Sequence, residues 1–143
     1  MKRYNFGLAS VLRVRKIAEE QTRAALLEAQ VEADRASAEL DARLAAVGAA
    51  RPIRGRRSSS EFQEEREHLE RHRQAVLAAR SAEAHLLELL GTAHADWQSA
   101  AQEVRALERL DDRKRAEWVI EVTRAAQIVT DEVATTRHSV DGH

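Results

Sequence analysis

The chain has 143 residues, of which 33% are charged and 3% aromatic, with five glycines, one proline and no cysteine. So few breakers and aromatics argue against a thick globular core, and the absence of cysteine excludes a disulfide scaffold or a thiolate metal site. A formal net charge of -1 argues against a polyanion such as DNA as a partner for the whole chain.

Charge is nevertheless uneven. Lys2, Arg3, Arg13, Arg15 and Lys16 all precede the first acid, Glu19. Arg13 and Arg15 interrupt the chain too early for the unbroken apolar run of a secretory signal. No stretch approaches the ~20 apolar residues of a membrane span. The chain reads as soluble and unprocessed, without an integral membrane segment.

A first helix is predicted over about residues 5–48, with Asn5 or Ser10 available as caps. Its apolar register is Leu8, Leu12, Leu26, Ala29, Ala33, Ala36, Leu40, Leu44 and Val47. The four/three steps are clear from Leu26 onward; before it Arg15, Glu19 and Thr22 fall on the seam. Alanines 29, 33 and 36 let a partner helix approach closely.

Gly48, Pro52, Gly55 and Ser58-Ser59-Ser60 gather the strongest breakers into one stretch, predicting a loop at 49–59. It carries a second basic cluster, Arg51, Arg54, Arg56 and Arg57. Such a loop could contact phosphate or present a serine to a kinase; a solvated basic loop is the plainer reading. The three serines offer N-caps, with Glu61 and Glu64 placed for the following first turn.

The second helix is predicted over about 60–138, with 139–143 frayed. It repeats every seven residues through Phe62, Leu69, Val76, Glu83, Leu90, Trp97, Val104, Asp111, Trp118 and Ala125. A second set follows three residues on, at Ala79, Leu86, Ala93, Ala100, Leu107 and Ile128. This is the seam of a coiled coil. It runs for roughly 65 residues, or about 100 Å at 1.5 Å per residue. The fold class expected is all-α, a single domain over 1–143 in which the two helices form an antiparallel coiled-coil hairpin with a longer second helix. Facing registers place Val47 near Phe62, Leu40 near Leu69, and Leu12 near Leu90 or Trp97. Beyond about Val104 the first helix has nothing left to offer. Leu107, Leu110, Trp118, Val122, Ala125, Ile128 and Val129 are then expected to form an apolar face without an internal partner, the mark of an interface.

A rod of this kind has no cavity for chemistry, and no enzyme activity is expected. The five glycines form neither GxxxxGK nor GxGxxG. His68 and His72, four apart, could bind zinc on one face, but His-Leu-Glu-Arg-His is not HExxH and no further ligand is evident. Surface histidines are the commoner case, so no metal site and no cofactor is assigned. Asp111-Asp112 and Asp131-Glu132 are adjacent pairs that point about 100° apart and lack the water-excluding pocket that paired acid/base work needs. Trp97 is read as a seam residue. Trp118, on the overhang, is open between self-association and a partner's pocket.

The chain opens with Tyr4-x-Phe6-x-Leu8-x-x-Val11-Leu12-x-x-Arg15-x-x-x-Glu19, and near its other end it carries Leu107-x-x-Leu110-x-x-Arg113, Trp118 and Asp131-Glu132-x-Ala134-x-x-Arg137. In these two motifs the sequence resembles the start and the C-terminal pattern of the flagellar export protein family FliJ. The resemblance covers about 5–47 and 62–138; Ile128 departs from it, where the family often has a lysine. It implies a cytoplasmic antiparallel coiled coil resembling the gamma stalk of rotary ATPases. Such a protein inserts into the ring of the export ATPase FliI, contacts the export gate protein FlhA, and is linked to substrate chaperones. It is thereby peripherally associated with the inner-membrane export apparatus. Carried onto this chain, the end holding both termini meets the ATPase through Leu12, Arg15, Glu19, Arg113, Trp118, Asp131 and Glu132. The loop end meets the gate near Arg43, Leu69, His72 and Val76, a set given by location rather than by motif.

Three other readings compete. The chain could be the equivalent stalk of a virulence-type injectisome. It could be a structural coiled coil homodimerising through the C-terminal part of helix 2, whereas the stalk reading expects a monomer. Binding of nucleic acid or anionic membrane through the basic N-terminus and loop is disfavoured by the near-zero net charge.

Overall fold

The computed structural model describes residues 2–49 and 55–142. Within them the chain forms two helices and no strand: α1, Ala9–Ala49, and α2, Ser59–Asp141, of 41 and 83 residues. They pack against each other as the antiparallel hairpin that the two stripes predict. Pro52, Arg51 and Arg54 of the predicted loop lie outside the described residues.

The start of α1 departs from the prediction. Neither Asn5 nor Ser10 caps it; the Leu8 carbonyl accepts the first helical bond from Leu12 N–H at 2.9 Å, and Ala9 N–H donates to the Phe6 carbonyl at 3.1 Å. Residues 2–6 are not helical. The motif Tyr4-x-Phe6-x-Leu8 alternates with a period of two, which suits a chain with one side laid on a surface better than a helix. Tyr4 and Phe6 are half-buried and Asn5 is exposed, in keeping with that alternation as far as Phe6; Leu8, at the turn into α1, is 39% exposed.

The start of α2 is firmly set. Glu61 N–H donates to Ser58 Oγ at 3.2 Å, and Ser58 N–H donates to Glu61 Oε2 at 3.2 Å. This reciprocal capping box satisfies two backbone donors at once and selects Ser58 from the three candidate serines. Replacing Ser58 by Ala is expected to cost about 1 kcal/mol, read as a lower urea midpoint at unchanged slope. Just ahead of the cap, Gly55 sits at φ 135°, a conformation that side chains disfavour, and Arg57 pairs with Glu65.

The chain divides into two compact units, Glu20–Ser99 and Met1–Glu19 with Ala100–His143. In the first, Ala33, Leu40 and Ala79 are buried, and Ser37 Oγ donates across the helix pair to Glu83 Oε2 at 2.7 Å. In the second, Ala101 and Val104 are buried, with Arg15 on Glu103 at 2.8 Å and Lys16 on Glu108 at 3.7 Å. Three of these five buried residues are alanine, so the helices meet through small side chains, which shortens the distance at which their axes can pack.

These pairings correct the predicted register. Leu40 opposite Leu69 would set Ser37 opposite His72; it meets Glu83, eleven residues or about three turns further along α2. Likewise Arg15 reaches Glu103, beyond the Leu90–Trp97 stretch expected to face Leu12. The offset leaves the first turns of α2 without α1 beside them, and Phe62 is accordingly 55% exposed. From Leu69 to Trp118 every position of the seven-residue register is buried or half-buried, Trp97 included; Phe62 and Ala125 are exposed.

Candidate functional site

The unit that holds both termini contains all of the motif residues. Its organising contact is one the sequence reading did not single out. Tyr4 lies over α2, where its Oη donates to Asp111 Oδ1 at 2.5 Å and sits 3.1 Å from the Asp111 carbonyl oxygen. The Arg115 guanidinium stands 4.9 Å from the centre of the Tyr4 ring, within range of a cation–π attraction. The Trp118 ring packs on the other aromatic at 5.8 Å and 57°, a tilted geometry that aromatic pairs favour. A shallow groove of about 550 Å³ runs between Phe6, Leu8, Leu110, Lys114, Trp118 and Glu121.

Desolvation, followed by the hydrogen bond to the Asp111 carboxylate and that group's charge, pushes the Tyr4 phenol up from 10.0 to about 12; Arg115 opposes the shift. Because the folded value lies above the ordinary one, the contribution of this contact is complete below about pH 10. It is lost as pH rises through about 12. Tyr4 is the single tyrosine of the chain, so phenolate absorbance reports it alone. Its midpoint is expected near 12 in the intact protein and closer to 10 in Asp111→Asn.

Tyr4 overturns the expected status of Trp118. Leu107, Leu110, Trp118 and Val122 are half-buried rather than uncovered: α1 still reaches this far through Lys16 on Glu108, and Tyr4, ahead of α1, packs on Trp118. The overhang therefore begins after Val122, not after Val104. From Thr123 to Val140 every residue is exposed, including Ala125, Ile128 and Val129 of the predicted face. Along this stretch Val122, Ala126, Val129, Val133, Thr136 and Val140 follow steps of four and three, which places them on one stripe. Val129, Val133 and Val140 are 59, 47 and 72% exposed. Five hydroxyls of the same stretch turn onto the helix's own carbonyls: Thr123, Thr130, Thr135, Thr136 and Ser139, at 2.7–2.9 Å.

The motif residues thus fall into two groups. Leu12 and Glu19 are half-buried at the seam, Arg15 is held by Glu103, and Trp118 is held by Tyr4. Arg113, Asp131 and Glu132 are exposed. The first group builds the platform from which the second projects.

The other unit carries the location-based set. Arg43 is exposed and pairs with Glu39 on its own helix at 2.8 Å. Leu69, His72 and Val76 are half-buried, as expected of Leu69 and Val76 from their place on the heptad stripe, so a partner at this end would meet the exposed positions around them. What is exposed there is Phe62, with the Arg66 guanidinium 6.0 Å from its ring, on a groove of about 740 Å³ that also involves Gly55, Arg57, Ser58 and Leu69. Among the described residues no cluster of three or more metal-ligating side chains occurs, and no helix is long and apolar enough to cross a membrane.

No curated protein and no solved structure matches the chain. A protein-family model described as "Flagellar FliJ protein" matches residues 4–142. That span takes in the Tyr4 contact, both helices and the exposed end of α2, and the chain accordingly belongs to the FliJ family of non-catalytic flagellar export components.

Proposed function

We propose that this protein is the central stalk of a flagellar export ATPase. It binds the FliI ring through the exposed end of α2, promotes hydrolysis there, and reaches the gate protein FlhA with the loop end, so that ATP turnover is coupled to export. The observation that carries this reading is the exposed stripe of Val129, Val133 and Val140 on a stretch where every residue from Thr123 to Val140 is exposed. A helix with an uncovered apolar stripe is stabilised by entering an apolar hole. Arg113, Asp131 and Glu132 would add polar contacts around that stripe, while Leu12, Arg15, Glu19 and Trp118 hold the base that supports it. Substrate chaperones are a further class of partner on this reading, and the protein is cytoplasmic, at the inner-membrane export apparatus.

The test is a titration of this chain into the purified export ATPase while phosphate release is followed. Turnover is expected to rise to a plateau at a defined ratio, with a complex that survives gel filtration. Unchanged turnover together with no complex would sink the proposal. At the gate, Phe62 and Arg66 extend the set of Arg43, Leu69, His72 and Val76, because both are exposed and the Arg66 guanidinium lies over the Phe62 ring.

A further inference from the structure

We propose that His68 and His72 form a two-nitrogen site for a divalent transition-metal ion of the Cu(II), Ni(II), Zn(II) class. Spacing by four puts two side chains on one helix face, which permits contact without enforcing it. The structure goes further and brings the two Nε2 atoms to 3.0 Å, with ring centres 4.5 Å apart and planes at 89°. An ion bound to imidazole nitrogen at about 2.0–2.1 Å separates two such nitrogens by roughly 2.9 Å at a right angle and roughly 3.4 Å at the tetrahedral angle. The observed separation lies between those limits, so both lone pairs reach one ion through side-chain torsions alone, with the helix backbone unmoved.

The proton arrangement is compatible with this step. At 3.0 Å one neutral ring donates its Nε2 hydrogen to the Nε2 lone pair of the other. Metal binding uses both Nε2 lone pairs, so the donor ring takes the other tautomer, with its hydrogen on Nδ1, and no proton is released. The local charge favours a cation: residues 61–73 carry five acids, Glu61, Glu64, Glu65, Glu67 and Glu70, against Arg66, Arg71 and Arg73. Glu65 is engaged by Arg57, and among the described residues no third ligand joins the histidines. Water completes the coordination, which makes this an open site that follows the general order of divalent affinities, with Cu(II) tightest. It staples two successive turns of α2 in the stretch that begins past the end of α1.

The experiment uses the full chain without a histidine tag, titrated calorimetrically with copper, nickel and zinc chlorides in a non-chelating buffer. One saturable equivalent is expected, with two equatorial nitrogens in the electron paramagnetic resonance spectrum of the copper form. His68→Ala should weaken binding by about tenfold or more, and His85→Ala or His94→Ala should leave it unchanged. The paired change Glu70→His with His72→Glu keeps the composition but sets the rings about 200° apart around the helix; it too should lose binding. Absence of a saturable equivalent, or binding that persists in His68→Ala, overturns the proposal. His72 also belongs to the proposed gate set, but metal binding to the isolated chain is measured without any partner and stands or falls independently of it.

Discussion

Val129→Glu combined with Val133→Lys is expected to leave the melting of the isolated chain within a few tenths of a kcal/mol of the parent while abolishing stimulation of the export ATPase. Both valines are exposed, at 59 and 47%, so no internal packing is lost. Glutamate and lysine are better helix formers than valine, and a glutamate four residues before a lysine adds a favourable pair. If a ring covers this stripe, each valine buried there contributes about 1.5–3 kcal/mol. Losing both weakens association by roughly two to four powers of ten. Normal stimulation by this variant would place the ATPase contact elsewhere. An oppositely designed change, Arg113→Ala, tests the polar rim and should act more weakly, chiefly through salt-dependent association.

The second large effect falls on stability. Leu40→Ala is expected to destabilise the chain by about 2–3 kcal/mol, the lower part of the range for core leucines, because a crevice between two helices can admit water where a closed core leaves a void. Leu40 is 9% exposed and is the largest of the five residues buried among the described ones; the others are Ala33, Ala79, Ala101 and Val104. Leu27, on the same helix but 62% exposed, serves as the control, and Leu27→Ala should shift the denaturation midpoint little. Domains are typically stable by only about 5–15 kcal/mol, so the loss at Leu40 removes a large fraction of what holds the pair together. Equal effects at the two positions would contradict the assignment of the seam.

How far these residues could be read in advance follows from what a repeat encodes. A period of seven specifies which face of a helix is apolar, and from Leu69 to Trp118 that face is the covered one. The same period says little about how far one helix slides along the other, since a displacement of about three turns brings another apolar rung into place. Only specific pairs fix the slide, and Ser37 with Glu83 is such a pair. A serine facing a glutamate carries no signal in a sequence a third of which is charged. The cap of α2 was legible to within three serines because a cap is local; the reciprocal bonds of Ser58 and Glu61 decide which serine serves. Tyr4 was harder. Its motif position was noticed, but a helix predicted from about residue 5 left it just outside with no partner assigned and drew Phe6 in; the alternation of Tyr4 and Phe6 ahead of Gly7 was the signal that both precede the helix. The terminal motif residues were legible as a set, and their division into internally held and free-standing side chains required coordinates.

The hydroxyls near the end of α2 have a consequence for complementarity. Thr123, Thr130, Thr135, Thr136 and Ser139 each own one hydrogen, and each directs it at a carbonyl of the same helix. What they present outward is lone pairs, beside the carboxylates of Asp131 and Glu132. A surface rich in N–H groups would match those acceptors, whereas a second copy of this stretch could answer them only through the few donors it carries, chiefly Arg124, Gln127 and Arg137.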